Sequence, residues 1–116
     1  MTNAAKKLKI AMFTETYRPQ INGVVTSIDT FVSDLENQGH EVLILAPKME
    51  GAEKSTDKVW RLRSVPYPFR KEHRIISPLS RKLKQFKSLG IDVIHVQTPF
   101  FMGHLGQYLG WKYDIP

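Results

Sequence analysis

Apolar positions along the chain fall into two periods. "LKIAMFT" (8–14) and "HEVLILAP" (40–47) are nearly continuous apolar runs of strand length, the second entered from Gly39 and stopped by Pro47. Continuous apolarity marks strands covered on both faces, as in a parallel sheet. Between them Val24, Val25, Ile28, Phe31, Val32 and Leu35 recur at helical spacing, with Gly39 placed as a C-terminal cap. Together they predict a strand, helix, strand unit with a right-handed crossover. The polar stretch "KMEGAEKSTDK" (48–58) is expected to be a loop, and "VWRLRSV" (59–65) alternates with period two, as a strand near a sheet edge does. "PYPFRKEHRIISP" is punctuated by proline and is expected to be irregular. Ser77 or Ser80 is placed to cap a helix with the apolar stripe Leu79, Leu83, Phe86 and Leu89, ended by Gly90. "IDVIHVQ" (91–97) predicts a fourth buried strand, Pro99 breaks it, and "FFMGHLGQYLGWKY" (100–113) predicts a helix weakened by its glycines. The alternation predicts an α/β three-layer sandwich, with a mainly parallel sheet in order 3-2-1-4 and helices on both faces.

Composition narrows the class without changing the fold. A chain of 116 residues, 41% hydrophobic and 24% charged, fits one globular domain and excludes disorder or collagen-like structure. With no cysteine, a disulfide scaffold, a thiolate zinc site and a cysteine nucleophile are all excluded, and a reducing cytoplasm is the simplest compartment. No apolar run approaches the roughly 20 residues of a membrane span, and "MTNAAKKLK" lacks a signal-peptide core. The four histidines lack metal-ligand spacing and no H-E-x-x-H is present, so no metal site is expected.

The net charge of +6 is uneven. From Lys58 to Gly90 ten basic residues stand against one acid, Glu72, a local charge of +9 that leaves −3 for the remainder. Such a block attracts a polyanion such as a phosphorylated ligand, nucleic acid or an anionic lipid surface, or else is a solvated face. Within it "SPLSRKLKQFKSLG" places Leu79, Leu83 and Phe86 on one helical face with Arg81, Lys82, Lys84 and Lys87 around the others. A helix of that kind lies on anionic lipid, although the same stripe also packs a helix onto a sheet. Trp60, Tyr67 and Phe69 beside the block would suit base stacking, but no RNA- or DNA-binding motif accompanies them, so nucleic acid is not the expected partner.

The candidate site is the connection "TETYRPQINGVVTSI" (14–28), longer than a strand-to-helix turn requires. Asn22-Gly23 immediately precedes the helix starting near Val24, so free N–H groups and the positive dipole end point above the first strand's carboxyl end. A phosphate is favoured there, and Gly23 has no Cβ to obstruct it; the alternative is that Asn-Gly only makes the turn. In open α/β sheets ligands bind at the carboxyl ends of strands, which brings in the loop "HVQTPFFMG" after the fourth strand. Glu15, Thr16, Tyr17, His95, Thr98 and His104 are then expected around the rim of one crevice. His95 has the alternative of a buried histidine satisfied by backbone, and Glu15 that of a helix-dipole or a hydrogen-bonding role. His40 and His73 are expected at the surface.

"IAMFTETYRPQINGVVTSI", "LENQGHEVLILAP" and "DVIHVQTPFFMGHLGQYLGWKYDIP", in that order, resemble the N-terminal, Rossmann-like domain of the family 4 retaining glycosyltransferases, which have the two-domain GT-B fold. Within that family the chain is similar to bacterial diacylglycerol glucosyltransferases and lipid mannosyltransferases. The resemblance implies a nucleotide-diphosphate sugar as donor substrate, with the glycine loop at Asn22, Gly23 and Val24 approaching its diphosphate, and no tightly bound cofactor. It implies an acceptor held by this domain, a membrane lipid such as diacylglycerol or a sugar. It also implies peripheral contact with the inner face of the cell membrane, for which Arg81, Lys82, Lys84 and Lys87 are the candidate surface. Members of the family place a histidine after the next strand and a glutamate-rich donor motif in the C-terminal domain. Neither is found here, and "KYDIP" is a helix exit leading toward another strand. The expectation is therefore an N-terminal part of a longer protein, inactive alone, with its catalytic histidine beyond Pro116. A non-catalytic α/β ligand-binding or regulatory domain with an anion-binding basic face is the alternative.

Overall fold

The computed structural model describes residues 6–20, 22–48, 51, 56, 58–68, 70–76 and 81–116. Among the described residues the elements in chain order are β1 (Lys9–Phe13), α1 (Gly23–Asn37), β2 (Glu41–Pro47), β3 (Val59–Leu62), β4 (Ser64–Tyr67), β5 (Arg70–Ile76), α2 (Arg81–Lys84), a 3-10 turn (Phe86–Leu89), β6 (Val93–Val96) and α3 (Phe101–Tyr113). β3, β2, β1 and β6 form one sheet in that order. Every pairing in it is parallel, with Met12 opposite Ile44 on one side and opposite His95 on the other. The predicted order 3-2-1-4 is the one observed.

Alternation along the buried strands sends side chains to two cores. Ile10, Met12, Val42 and Ile44 point to the face covered by Ile28 of α1. Ala11, Phe13, Leu43, Leu45 and Leu62 point to the opposite face, under Leu83, Phe86, Met102, Leu105 and Leu109. Helices thus cover both faces, and the continuous apolar runs follow from burial on both sides.

α1 ends as its sequence predicts. Gly39 has φ +93, its N–H reaches the Glu36 carbonyl, and the His40 N–H reaches the Leu35 carbonyl, which satisfies two terminal carbonyls in a Schellman arrangement. Phe31, expected in the apolar stripe, is 46% exposed. It sits at the margin of that stripe, its ring 6.1 Å from that of His95 on the outer strand.

Two local predictions are corrected. The stretch expected to be irregular contains an antiparallel ribbon, β4 with β5, whose register shifts between Pro66 and Tyr67. Proline is tolerated at such a position because an edge strand with a bulge does not need its N–H. The predicted amphipathic helix is broken into the single turn α2 and the 3-10 turn, and Gly90 closes it with φ +70. Its expected caps, Ser77 and Ser80, and Leu79 lie outside the described residues, as does most of the predicted loop 48–58.

α3 is dense in glycine for a packing reason. A Cβ on Gly103 would overlap the Thr98 carbonyl oxygen, and one on Gly106 would meet Val96 at 3.0 Å and the Phe13 ring at 3.2 Å. The glycines give up helix propensity and let α3 settle onto β6 and β1.

Candidate functional site

All strands of the main sheet end on one edge, and two connections leave it toward helix N-termini: residues 14–22 from β1 to α1, and residues 97–100 from β6 to α3. Asn22 is the N-cap of α1. Its backbone is extended (φ −161, ψ 177) and its Oδ1 accepts the Val25 N–H at 3.0 Å. The first-turn amides of Gly23 and Val24 have no carbonyl one turn earlier to bond, and no acid lies in that turn. Gly23 is exposed, and a Cβ built on it meets nothing within 4 Å. Val24 is half-buried against the core beneath α1. The helix therefore offers a positive, uncompensated N-terminus behind an unobstructed residue, an arrangement that accepts phosphate oxygens.

Two cavities flank the loop. One, of about 430 Å³, is lined by Arg18, Pro19, Gln20, Asn22, Val25, Thr26 and Asp29, and so opens beside the α1 N-terminus. The other, of about 310 Å³, lies between Tyr17, Arg18, Pro19, Thr56, Val59 and Arg61. The Arg18–Pro19 peptide is cis. Arg18 pairs with Asp29 on the second turn of α1 at 2.9 Å.

The predicted crevice residues take different positions. Glu15 is 2% exposed, and its Oε1 accepts the Met102 N–H at the start of α3. Its N–H donates to the buried Thr98 Oγ1 at 2.7 Å, so these two residues join the two connections directly. Burial pushes the Glu15 carboxyl above its usual range, while the Met102 and Gly103 amides pull it back only in part. Thr16 is half-buried, and its carbonyl accepts from Thr14 Oγ1 at 2.8 Å. Tyr17 packs into the α1-side core under the Arg61 guanidinium, 5.5 Å from its ring centre. Burial raises the pKa of its hydroxyl, and the nearby Asp29 charge adds to the effect. His95 lies within β6, half-buried, with Nε2 2.7 Å from Gln97 Oε1. His104 is exposed on the first turn of α3. His40, expected at the surface, is half-buried with Nδ1 accepting the Leu8 N–H at 3.0 Å; the side chain of His73 lies outside the described residues.

The basic block is smaller at the surface than its count suggests. Arg61 is 7% exposed and donates to the Pro47 and Arg18 carbonyls, so it fastens the loop to the end of β2. In the sequence it counted only as one of the ten basic residues of the block. Lys58 pairs with Glu36 at 3.3 Å. Lys84 and Lys87 are exposed, while the side chains of Arg81 and Lys82 lie outside the described residues. Leu83 and Phe86 are spent on the core, where Phe86 lies 6.0 Å from the Phe13 ring and 6.1 Å from Tyr113. They are not available as a lipid-facing stripe. Among the described residues no helix is long and apolar enough to cross a membrane, and no group of three or more His, Asp or Glu could hold a metal ion.

The family model described as Glycosyltransferase Family 4 matches residues 21–116, from the loop's end through every later element. The chain belongs to glycosyltransferase family 4. The family 4 chain is similar to the alpha-monoglucosyldiacylglycerol synthase of Streptococcus pneumoniae, 37% identical over 111 residues, which covers 94% of the chain and 25% of that protein. The synthase of the same name from Acholeplasma laidlawii is 34% identical over 94% of the chain and 28% of its own length. A GDP-mannose-dependent alpha-mannosyltransferase of Mycobacterium tuberculosis is 26% identical over 94% of the chain and 30% of its length. The chain thus spans between a quarter and a third of the length of these relatives.

Proposed function

We propose that this chain is the N-terminal, acceptor-side domain of a retaining glycosyltransferase that moves a hexose from a nucleotide-diphosphate sugar to a membrane lipid such as diacylglycerol. The observation that carries the reading is the α1 N-terminus, where Gly23 stands in open space with no acid in the first turn. A diphosphate approaching there gains amide hydrogen bonds and a favourable dipole, and these strengthen as charge develops on the leaving phosphate. The names of the glucosyldiacylglycerol synthases and GDP-mannose-dependent enzymes support the donor and acceptor classes. Asn22, Gly23 and Val24 form the donor-phosphate loop in this reading, and the catalytic histidine and most donor contacts come from outside residues 1–116. The domain works at the cytoplasmic face of the membrane, where Arg81, Lys82, Lys84 and Lys87 meet anionic headgroups. With Leu83 and Phe86 inside the core, that contact is electrostatic rather than inserted.

The test is transfer by the whole protein from UDP-glucose or GDP-mannose to diacylglycerol in vesicles, with the glycolipid product identified by mass spectrometry. Gly23→Val places a branched side chain where the diphosphate approaches and is expected to abolish transfer without unfolding the domain, since that space is empty of protein. The 116-residue chain alone is expected to transfer nothing. Normal turnover by Gly23→Val would remove the phosphate-loop role.

A further inference from the structure

We propose that Glu15 is the positioning residue of the donor-phosphate loop, fixing that loop to the start of α3 and directing an anion to α1 instead. The proposal rests on the phosphate-loop reading above. Burying a carboxylate is costly unless its oxygens find partners, and Glu15 is buried one residue after Thr14 leaves the sheet. One oxygen is held by the Met102 amide, and the nearby Gly103 amide also favours the charged carboxylate. The other, Oε2, has no hydrogen-bond partner. The backbone of Glu15 is tied in the same direction through Thr98 Oγ1 at 2.7 Å. Main chain and side chain of a single residue thus lock the root of the β1–α1 connection to the β6–α3 turn. Arg61, bonding the Arg18 carbonyl, holds the middle of the same loop.

The side-chain oxygen of Glu15 also separates two otherwise similar helix ends. Neither α1 nor α3 carries an acid in its own first turn. At α3 a side-chain oxygen of Glu15 occupies the Met102 amide, so this helix start is already filled from within. At α1 the N-cap is the neutral Asn22 amide, which bonds Val25 rather than the preceding amides. A diphosphate at this edge of the sheet is therefore steered to Gly23, and the loop presenting Gly23 is held in place by the residue that closes the alternative.

The experiment measures initial rates of the whole transferase against whichever of UDP-glucose and GDP-mannose the wild-type protein turns over, with acceptor vesicles fixed, well below each variant's melting temperature. Glu15→Ala releases the loop and opens α3; donor KM is expected to rise about tenfold or more, with acceptor KM within about twofold. Glu15→Gln keeps an oxygen of the same reach for the Met102 amide and is expected to restore donor KM to within about threefold of wild type. Thr98→Val removes only the backbone tie and, should Glu15→Ala fail to fold, still reads the positioning role through a rise of about threefold in donor KM. A lowered melting temperature with donor KM unchanged in Glu15→Ala and Thr98→Val overturns the proposal, as does a Gln variant as impaired as the Ala variant. If Gly23→Val turns over normally, the phosphate-loop reading fails and this proposal with it. An inactive Gly23→Val beside a Glu15→Ala enzyme of normal donor KM overturns the positioning role alone.

Discussion

Replacing Gly103 by alanine sets helix propensity against packing, and the structure decides the winner. In an isolated helix the change is favourable by about 1 kcal/mol. Here the new methyl would overlap the Thr98 carbonyl oxygen and press on Val96 Cγ1 at 3.0 Å. A backbone oxygen cannot rotate aside, so the first turn of α3 must lift from the sheet, at an overpacking cost of about 1–3 kcal/mol. Lifting it also weakens the hydrogen bond from the Met102 amide to the Glu15 carboxylate, worth about 1 kcal/mol net. The net expectation is destabilisation by about 2–3 kcal/mol, or a melting temperature lower by roughly 10 °C for a domain of this size. Circular dichroism melts and urea titrations of Gly103→Ala measure it directly. Gly23→Ala is the control, because its methyl enters open space and its stability should equal or slightly exceed wild type. A Gly103→Ala protein as stable as wild type would refute the close approach of α3 and the reason given for its glycines.

Because burial raises the Glu15 pKa above 4.5, the folded state binds that proton more tightly than the unfolded state. Its contribution to stability is present below pH 4.5 and is lost as pH rises through the folded pKa, so the urea midpoint of wild type relative to Glu15→Gln should fall across that window. A midpoint difference independent of pH would contradict the raised pKa. Replacing Arg81, Lys82, Lys84 and Lys87 by glutamine in the whole protein should weaken binding to anionic vesicles, each charge near the surface being worth about 1 kcal/mol, with little loss of stability. Co-sedimentation indifferent to lipid charge would return these residues to a solvated face. Gly39→Ala forces a side chain into φ +93 and should cost about 1 kcal/mol in chemical denaturation. An unchanged midpoint would argue against the Schellman closure of α1.

The covering of the strands was legible because it follows from local patterns. The runs at 8–14 and 40–47 are apolar on both parities, which only a strand buried on two faces requires. The loop at Asn22-Gly23 was legible too, since capping and turn chemistry depend on neighbours in sequence. The burial of Arg61 was not legible: it counted as part of the basic block, and nothing nearby in the chain announced the Pro47 and Arg18 carbonyls that receive it.

The sequence by itself determined the α/β alternation, the parallel sheet, the closure of α1 at Gly39 and the Asn22-capped start of α1, because each depends on residues within one or two elements of one another. Tertiary structure alone decided what the long-range residues do. Glu15 and Met102 lie 87 positions apart, and no local period records that one carboxylate closes the start of α3. The same holds for the glycines of α3, which cost helix propensity locally and are repaid only where Thr98, Val96 and Phe13 arrive from the sheet. Leu83 and Phe86 carry a pattern that suits a bilayer or a core equally, and the choice falls to the core because Phe13 and Tyr113 pack against Phe86 there. Periodicity specifies that a face is apolar, and only the assembled fold specifies which surface it meets.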